Sequence, residues 1–214
     1  MILRLSEALD VPLRERNQWL HAAGFAPVYS TLDLESPEMR PVMAAVQMML
    51  RNHEPFPAAA LDRAWNIRLA NQPFERLSAW LGGELWERVG GSSRNLMRLL
   101  FHPEGLRLFV SNWDTIAPCL WQRAEREAMA AHGAEAQRLL DELRPMQEEY
   151  VLSGAAEIHL LPVLPLQLEH AGIRLSLFTV IATFGTPQDV TTDELRIECL
   201  FPADEETERL LRAW

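Results

Sequence analysis

The stretch IHLLPVLPLQLEHAGIRLSLFTVIATF, residues 158–184, decides the fold. Two apolar runs poor in helix signals, Ile158 to Glu169 and Arg174 to Phe184, flank His170-Ala171-Gly172. That spacing predicts an antiparallel hairpin. Strand side chains alternate between faces, so Phe178, Val180 and Phe184 share one side and Leu175, Leu177 and Ile181 the other. Both faces are apolar, and both are therefore expected to be covered.

Working outward, Leu195 to Phe201 reads as a third long strand, and Asp204 is placed to cap a final helix whose first residues are acidic. Upstream, two short extended runs, Ala58 to Asp62 and Ile67 to Ala70, flank a turn at Arg63-Ala64-Trp65-Asn66. Between the short and the long strands lies a block of helices. Phe74, Leu77, Trp80 and Leu81 have helical spacing that Gly82-Gly83 stops, and Leu96 to Phe101 breaks at His102-Pro103-Glu104-Gly105. Asn112 or Asp114 can cap a long helix running to about Ala131, and an amphipathic helix is expected from about Ala134 to Tyr150. Ser36-Pro37-Glu38 starts another, with Ser36 as N-cap, ending near His53-Glu54-Pro55. Two short helices fill the first thirty positions, the second terminated by Gly24. Together these elements make an α+β domain. Five antiparallel strands with helices inserted between the second and third is the arrangement of PAS-like sensor folds.

Composition narrows the function classes. Apolar residues make up 48% of the 214 residues, enough for a sizeable core. The formal net charge is −10, every basic residue is Arg, and the segment from Thr186 to Trp214 holds eight Asp or Glu against three Arg. Such a surface repels a phosphate backbone, so these residues are not expected to bind DNA tightly by themselves. Cys119 and Cys199 lie far apart in apolar stretches, with no CxxC or Cys/His spacing for zinc or redox chemistry. No apolar run reaches the ~18–20 residues that span a bilayer. The start lacks a secretory pattern, so the expected location is the cytoplasm, with no membrane partner. A nucleophile elbow, a phosphate-binding loop and an HExxH pair are all missing, and no catalytic, metal or cofactor site is expected.

Two long segments carry a family resemblance. One is Asn95-Leu96-Met97-Arg98-Leu99-Leu100-Phe101-His102-Pro103-Glu104-Gly105-Leu106-Arg107, followed by Asn112-Trp113. The other runs Phe184-Gly185-Thr186-Pro187-Gln188-Asp189-Val190-Thr191, then Glu194-Leu195-Arg196-Ile197-Glu198 and Phe201-Pro202-Ala203-Asp204-Glu205. Both resemble the MmyB-like regulator family, in which an XRE-type helix-turn-helix domain precedes a PAS-like ligand-binding domain. Arg4 to Asn17 is similar to the fourth and fifth helices of such a DNA-binding domain, and Ala22 to Tyr29 to its exit into the sensor. The resemblance implies residues 1–30 as the C-terminal remnant of the helix-turn-helix domain and 31–214 as the sensor. The turn and recognition helix are not found before Met1, so DNA contact is expected only through an upstream domain.

A PAS-like pocket lies between sheet and helices and is mostly apolar. Trp65, Phe74, Leu99, Leu100, Trp113, Ile116 and Leu120 are candidates for one wall, and Phe178 and Val180 for the sheet side, although large apolar groups at such spacing more often form plain core. The resemblance, not the spacing, implies a fatty acid as the ligand. Arg98 and His102 are candidate polar anchors, since an Arg at a pocket mouth can hold a carboxylate through paired hydrogen bonds. The alternative places Arg98 on a solvated helix face and makes His102-Pro103 a helix end. Asn112 reads as an N-cap, and the polar block Thr186 to Glu194 as loop architecture in which Asp189 or Thr191 closes backbone hydrogen bonds. The function expected is effector sensing by a transcription regulator. The second reading is a homodimerising PAS-like module with a filled core and no effector; dimerisation would let paired DNA-binding domains read a two-fold operator.

Overall fold

The computed structural model describes residues 1–89, 94–130, 134–147 and 163–214. Among these, the chain opens with α1 (Ile2–Ala8) and α2 (Leu13–Ala22), then α3 (Arg40–Asn52). A first hairpin, β1 (Ala58–Leu61) and β2 (Ile67–Ala70), leads into α4 (Gln72–Trp80), α5 (Leu85–Val89), α6 (Leu96–Phe101), α7 (Trp113–Ala130) and α8 (Ala134–Leu143). The chain ends with β3 (Leu166–His170), β4 (Ile173–Thr183), α9 (Val190–Glu194), β5 (Arg196–Pro202) and α10 (Glu205–Ala213). The strands form one sheet in the order β2-β1-β5-β4-β3, every pairing antiparallel. This is the expected α+β, PAS-like arrangement, with five α-helices among the described residues inserted between β2 and β3.

The deciding hairpin closes through Ala171 and Gly172 at φ +50° and +78°. Two consecutive left-handed residues make the tight turn whose twist matches that of the flanking strands. The register sets Leu166 opposite Leu177 and His170 opposite Ile173. The first of the two runs is shorter than expected: Val163 to Pro165 are not strand, and Ile158 to Pro162 lie outside the described residues. Proline offers no N–H to a ladder, which accounts for the late start of β3 after Pro165.

The sheet's two faces carry different loads. On one, Ala58, Ala60 and Ile197 meet Val46 and Leu50 of α3; the small alanines let the helix sit close. On the other lies the larger core, centred on Trp65, Phe101, Trp121, Leu140 and Leu177. Buried asparagines fix the junctions. Asn71 caps α4 by accepting from the Phe74 N–H, and also accepts from Ala58 N while donating to Leu50 and Phe56 carbonyls. Asn95 caps α6 and donates to the Ala64 carbonyl and Asn66 Oδ1 in the β1–β2 turn.

Several local expectations need correction. Ser36 takes the N-cap position, but of a 3-10 turn over Pro37–Met39 that precedes α3, and its buried hydroxyl makes no cap hydrogen bond. Asn112 does not cap α7 with its side chain, which instead donates to Pro165 O and accepts from Gln167 N, tying the helix start to β3. The helix expected to Tyr150 ends at Leu143 and passes into a 3-10 turn over Arg144–Met146, where Pro145 breaks the α pattern. Positions 148–150 lie outside the described residues.

Candidate functional site

Between the larger-core face of the sheet and the inserted helices is a cavity of about 330 Å³. Its composition follows from two periodicities. On α7, Ile116, Cys119, Leu120, Arg123 and Arg126 recur at three- and four-residue spacing and present one stripe to the space. From the sheet, alternate residues face it: Ala59 and Leu61 of β1, Leu166 and Leu168 of β3, Leu177 and Thr179 of β4, Glu198 and Leu200 of β5. The remaining wall comes from α4 to α6, chiefly Phe74, Leu77, Leu81, Leu85, Met97 and Leu99. Lining residues that are themselves exposed, Cys119, Arg126, Val163 and Thr179, mark its open side.

The lining is aliphatic apart from a few polar groups. Arg123 and Glu198 form a pair across the gap from α7 to β5, with Nη2 to Oε1 at 2.5 Å. They belong to a ladder: Arg123 Nε reaches Glu127 at 2.7 Å, and Glu127 also accepts from Arg196 Nη1 and from the Trp65 indole N–H at 2.7 Å. Burial alone would lower the pKa of Arg123, but Glu198 and Glu127 outweigh it and hold the guanidinium above its ordinary value. Arg126 lines the same space one turn on, exposed, with no carboxylate partner among the described residues. Trp86, another lining residue, keeps its indole N–H buried without a partner.

Of the residues singled out from the sequence, Phe74, Leu99, Leu100, Ile116 and Leu120 meet at the cavity. Trp65 lies behind it, fully buried, its N–H committed to Glu127. Arg98 leaves α6 on another side and pairs with Glu142 of α8 through both Nε and Nη2. His102 ends α6, and its Nδ1 accepts from the Glu104 N–H. Trp113 packs edge-on against Phe101, with ring centres 5.5 Å apart. Phe178 and Val180 stand on the opposite face of the sheet; Phe178 stacks on Phe201 at 5.5 Å and Val180 is 47% exposed. Sequence reasoning missed Arg123, Arg126, Glu198 and, apart from Phe74, the α4–α5 wall. The first two continue the Ile116–Leu120 stripe, and Glu198 alternates with Arg196 and Leu200; those periodicities were the available signals.

The polar block before β5 does something other than line the cavity. Asp189 caps α9 through Thr191 and Thr192 N–H groups, and its other oxygen accepts from Ser30 Oγ and Leu32 N. Thr191 Oγ1 donates to Leu32 O. Asp193 Oδ2 accepts from Leu13 N at 2.9 Å, capping α2, whose own N-cap residue, Pro12, offers no side-chain acceptor. Glu194 takes Arg14 in a two-pronged pair and Arg63 of the β1–β2 turn as well. The hydrogen bond to Glu194, against a smaller opposing effect of burial, holds Arg14 above its ordinary value.

No curated protein matches the chain. The profile of the MmyB-like transcription regulator ligand binding domain matches residues 42–213, which take in α3's main part, the whole sheet and every wall of the cavity. With that match across most of its length, the chain belongs to the MmyB-like transcription regulator ligand-binding domain family.

Proposed function

We propose that the chain is the sensing part of a cytoplasmic, bacterial helix-turn-helix regulator, binding a small apolar effector, in the first instance a fatty acid, that modulates DNA binding. The cavity carries this reading. At about 330 Å³ it falls within the range of small-molecule sites, its walls are aliphatic, and its polar groups are few and grouped. Arg126 at the open side suits a carboxylate. A filled core, as the dimerisation-only reading requires, would leave no such space. The helices α1 and α2 and the residues that follow each leave Leu5, Leu9, Trp19 and Phe25 exposed, apolar surface that further helices of a DNA-binding domain would cover. Homodimerisation fits the same scheme, since paired domains read a two-fold operator. The reading makes the chain a binding protein rather than an enzyme.

Native mass spectrometry of the purified chain, followed by denaturing extraction, tests it. An acyl chain released in stoichiometric amount is expected. An apo mass that does not change on titration with myristate overturns the fatty-acid effector. Equal operator affinity of ligand-saturated and apo protein carrying the helix-turn-helix domain overturns effector control of DNA binding, because a ligand shifts an equilibrium only by its differential affinity.

A further inference from the structure

The contacts of α9 join two things that the proposed function keeps apart, the cavity and the N-terminal helix pair. Each carboxylate of the segment 189–194 makes a contact with residues 13–32, and Glu194 holds the β1–β2 turn as well. The strand that follows at once, β5, is the cavity wall that carries Glu198 and is bonded to α7 through the Arg123–Glu198 and Arg196–Glu127 pairs. A second route reaches the same point: Glu127 holds the Trp65 indole, and Arg63, two residues earlier in that turn, holds Glu194.

We infer that α9 is a latch that docks α2 on the sensor when the cavity is empty and releases it when the cavity is filled. The inference rests on the effector-sensing reading and adds to it the device by which occupancy is reported. Both ion pairs bridge the two walls between which an occupant must fit. An occupant that moves α7 from the sheet stretches them and pulls on the start of β5, two residues from Glu194. Packed interiors respond to such displacement by switching between discrete arrangements rather than by deforming smoothly. The load falls on Arg14–Glu194 and Leu13–Asp193, and Arg14 is the most exposed charged partner among the ion pairs of the route. By linkage, whatever releases the latch also tightens the occupant.

Amide hydrogen exchange of the whole chain tests this, read at α2 and at α7. The cavity is filled in two ways: by myristate, and without any ligand by Cys119→Trp or, should that variant fail to fold, Ser78→Trp. Filling is expected to speed α2 exchange at least about fivefold. Glu194→Gln is expected to speed it with the cavity empty, and combining it with Cys119→Trp should add nothing further. Exchange that changes in α7 on filling but stays constant in α2 overturns the latch, as do independent, additive accelerations in the combined variant. If myristate leaves α7 untouched while the tryptophan variants release α2, the fatty-acid reading fails and the latch stands.

Discussion

Glu127 shows how much one side chain holds in this domain. Its carboxylate accepts from Arg123, Arg196 and the Trp65 indole. Burial by itself would raise its pKa, but Arg196 and Arg123, with the hydrogen bonds from Arg123 and Trp65, more than reverse that and hold it below the ordinary glutamate range. A depressed folded-state pKa contributes stability that is fully present above the unfolded value, about 4.3, and is lost as pH falls through the folded value. Glu127→Gln should therefore lose about 1–3 kcal/mol near neutrality, because Arg196 already has Nε and Nη2 buried without hydrogen bonds and would lose its main partner. In urea melts across pH, the variant should show a flatter acid limb than the parent. Parallel acid limbs would mean that Glu127 is not held down by its arginines. Trp65 adds a second device at this scale. It sits at φ +62°, a region that costs a bulky residue free energy, and Asp62 holds it there by accepting from Ala64 and Asn66 N–H groups.

At the scale of elements, Gly105 is the most tightly enclosed of the described glycines. A Cβ built there would lie 2.2 Å from the Leu99 carbonyl oxygen and 3.1 Å from that of His102. The backbone after α6 passes this close because His102 leaves the helix in an extended conformation and the chain folds back under it. Gly105→Ala should destabilise by about 1–3 kcal/mol, through displacement of α6 or of the following 3-10 turn over Leu106–Phe109. Chemical denaturation checks this, and an unchanged midpoint would mean the turn relaxes freely. The same elements show what was legible in the sequence. The hairpin was, because its two runs and its glycine are local signals, and so were α6 and the β1–β2 turn. The α9 helix was not: five residues are too few for a periodicity, and its cap, Asp189, is readable as a loop residue until Ser30 and Leu32 are seen beside it. The cavity was half legible. Phe74, Leu99, Ile116 and Leu120 lie on recognisable apolar faces, whereas which side of β4 meets the helices depends on where α3 packs. A strand apolar on both faces does not encode that choice, so Phe178 and Val180 went to the sheet's far side while Leu177 and Thr179 took the cavity.

For the molecule as a whole, an apolar space of this size is a standing cost. Its lining atoms forgo the dispersion contacts that a filled core would make, and cores lose stability in proportion to such volume. The fold bears the cost through a core packed on each face of the sheet, although the far half of β4 stays exposed at Val180 and Ile181, and through junctions fixed by buried asparagines rather than by the walls themselves. Occupancy should therefore stabilise the native state by mass action. Binding to the native state alone contributes about 2.7 kcal/mol at a ligand concentration a hundredfold above Kd. For a domain of about 150–250 residues each kcal/mol moves Tm by about 2–4 °C, which gives a rise of about 5–10 °C with myristate at that concentration. Calorimetric melts read this directly. At the same myristate concentration Glu194→Gln, already released, binds more tightly and should show the larger rise. A Tm that does not move with myristate, while Cys119→Trp by itself raises it, would leave a space that packing can fill but this amphiphile cannot enter.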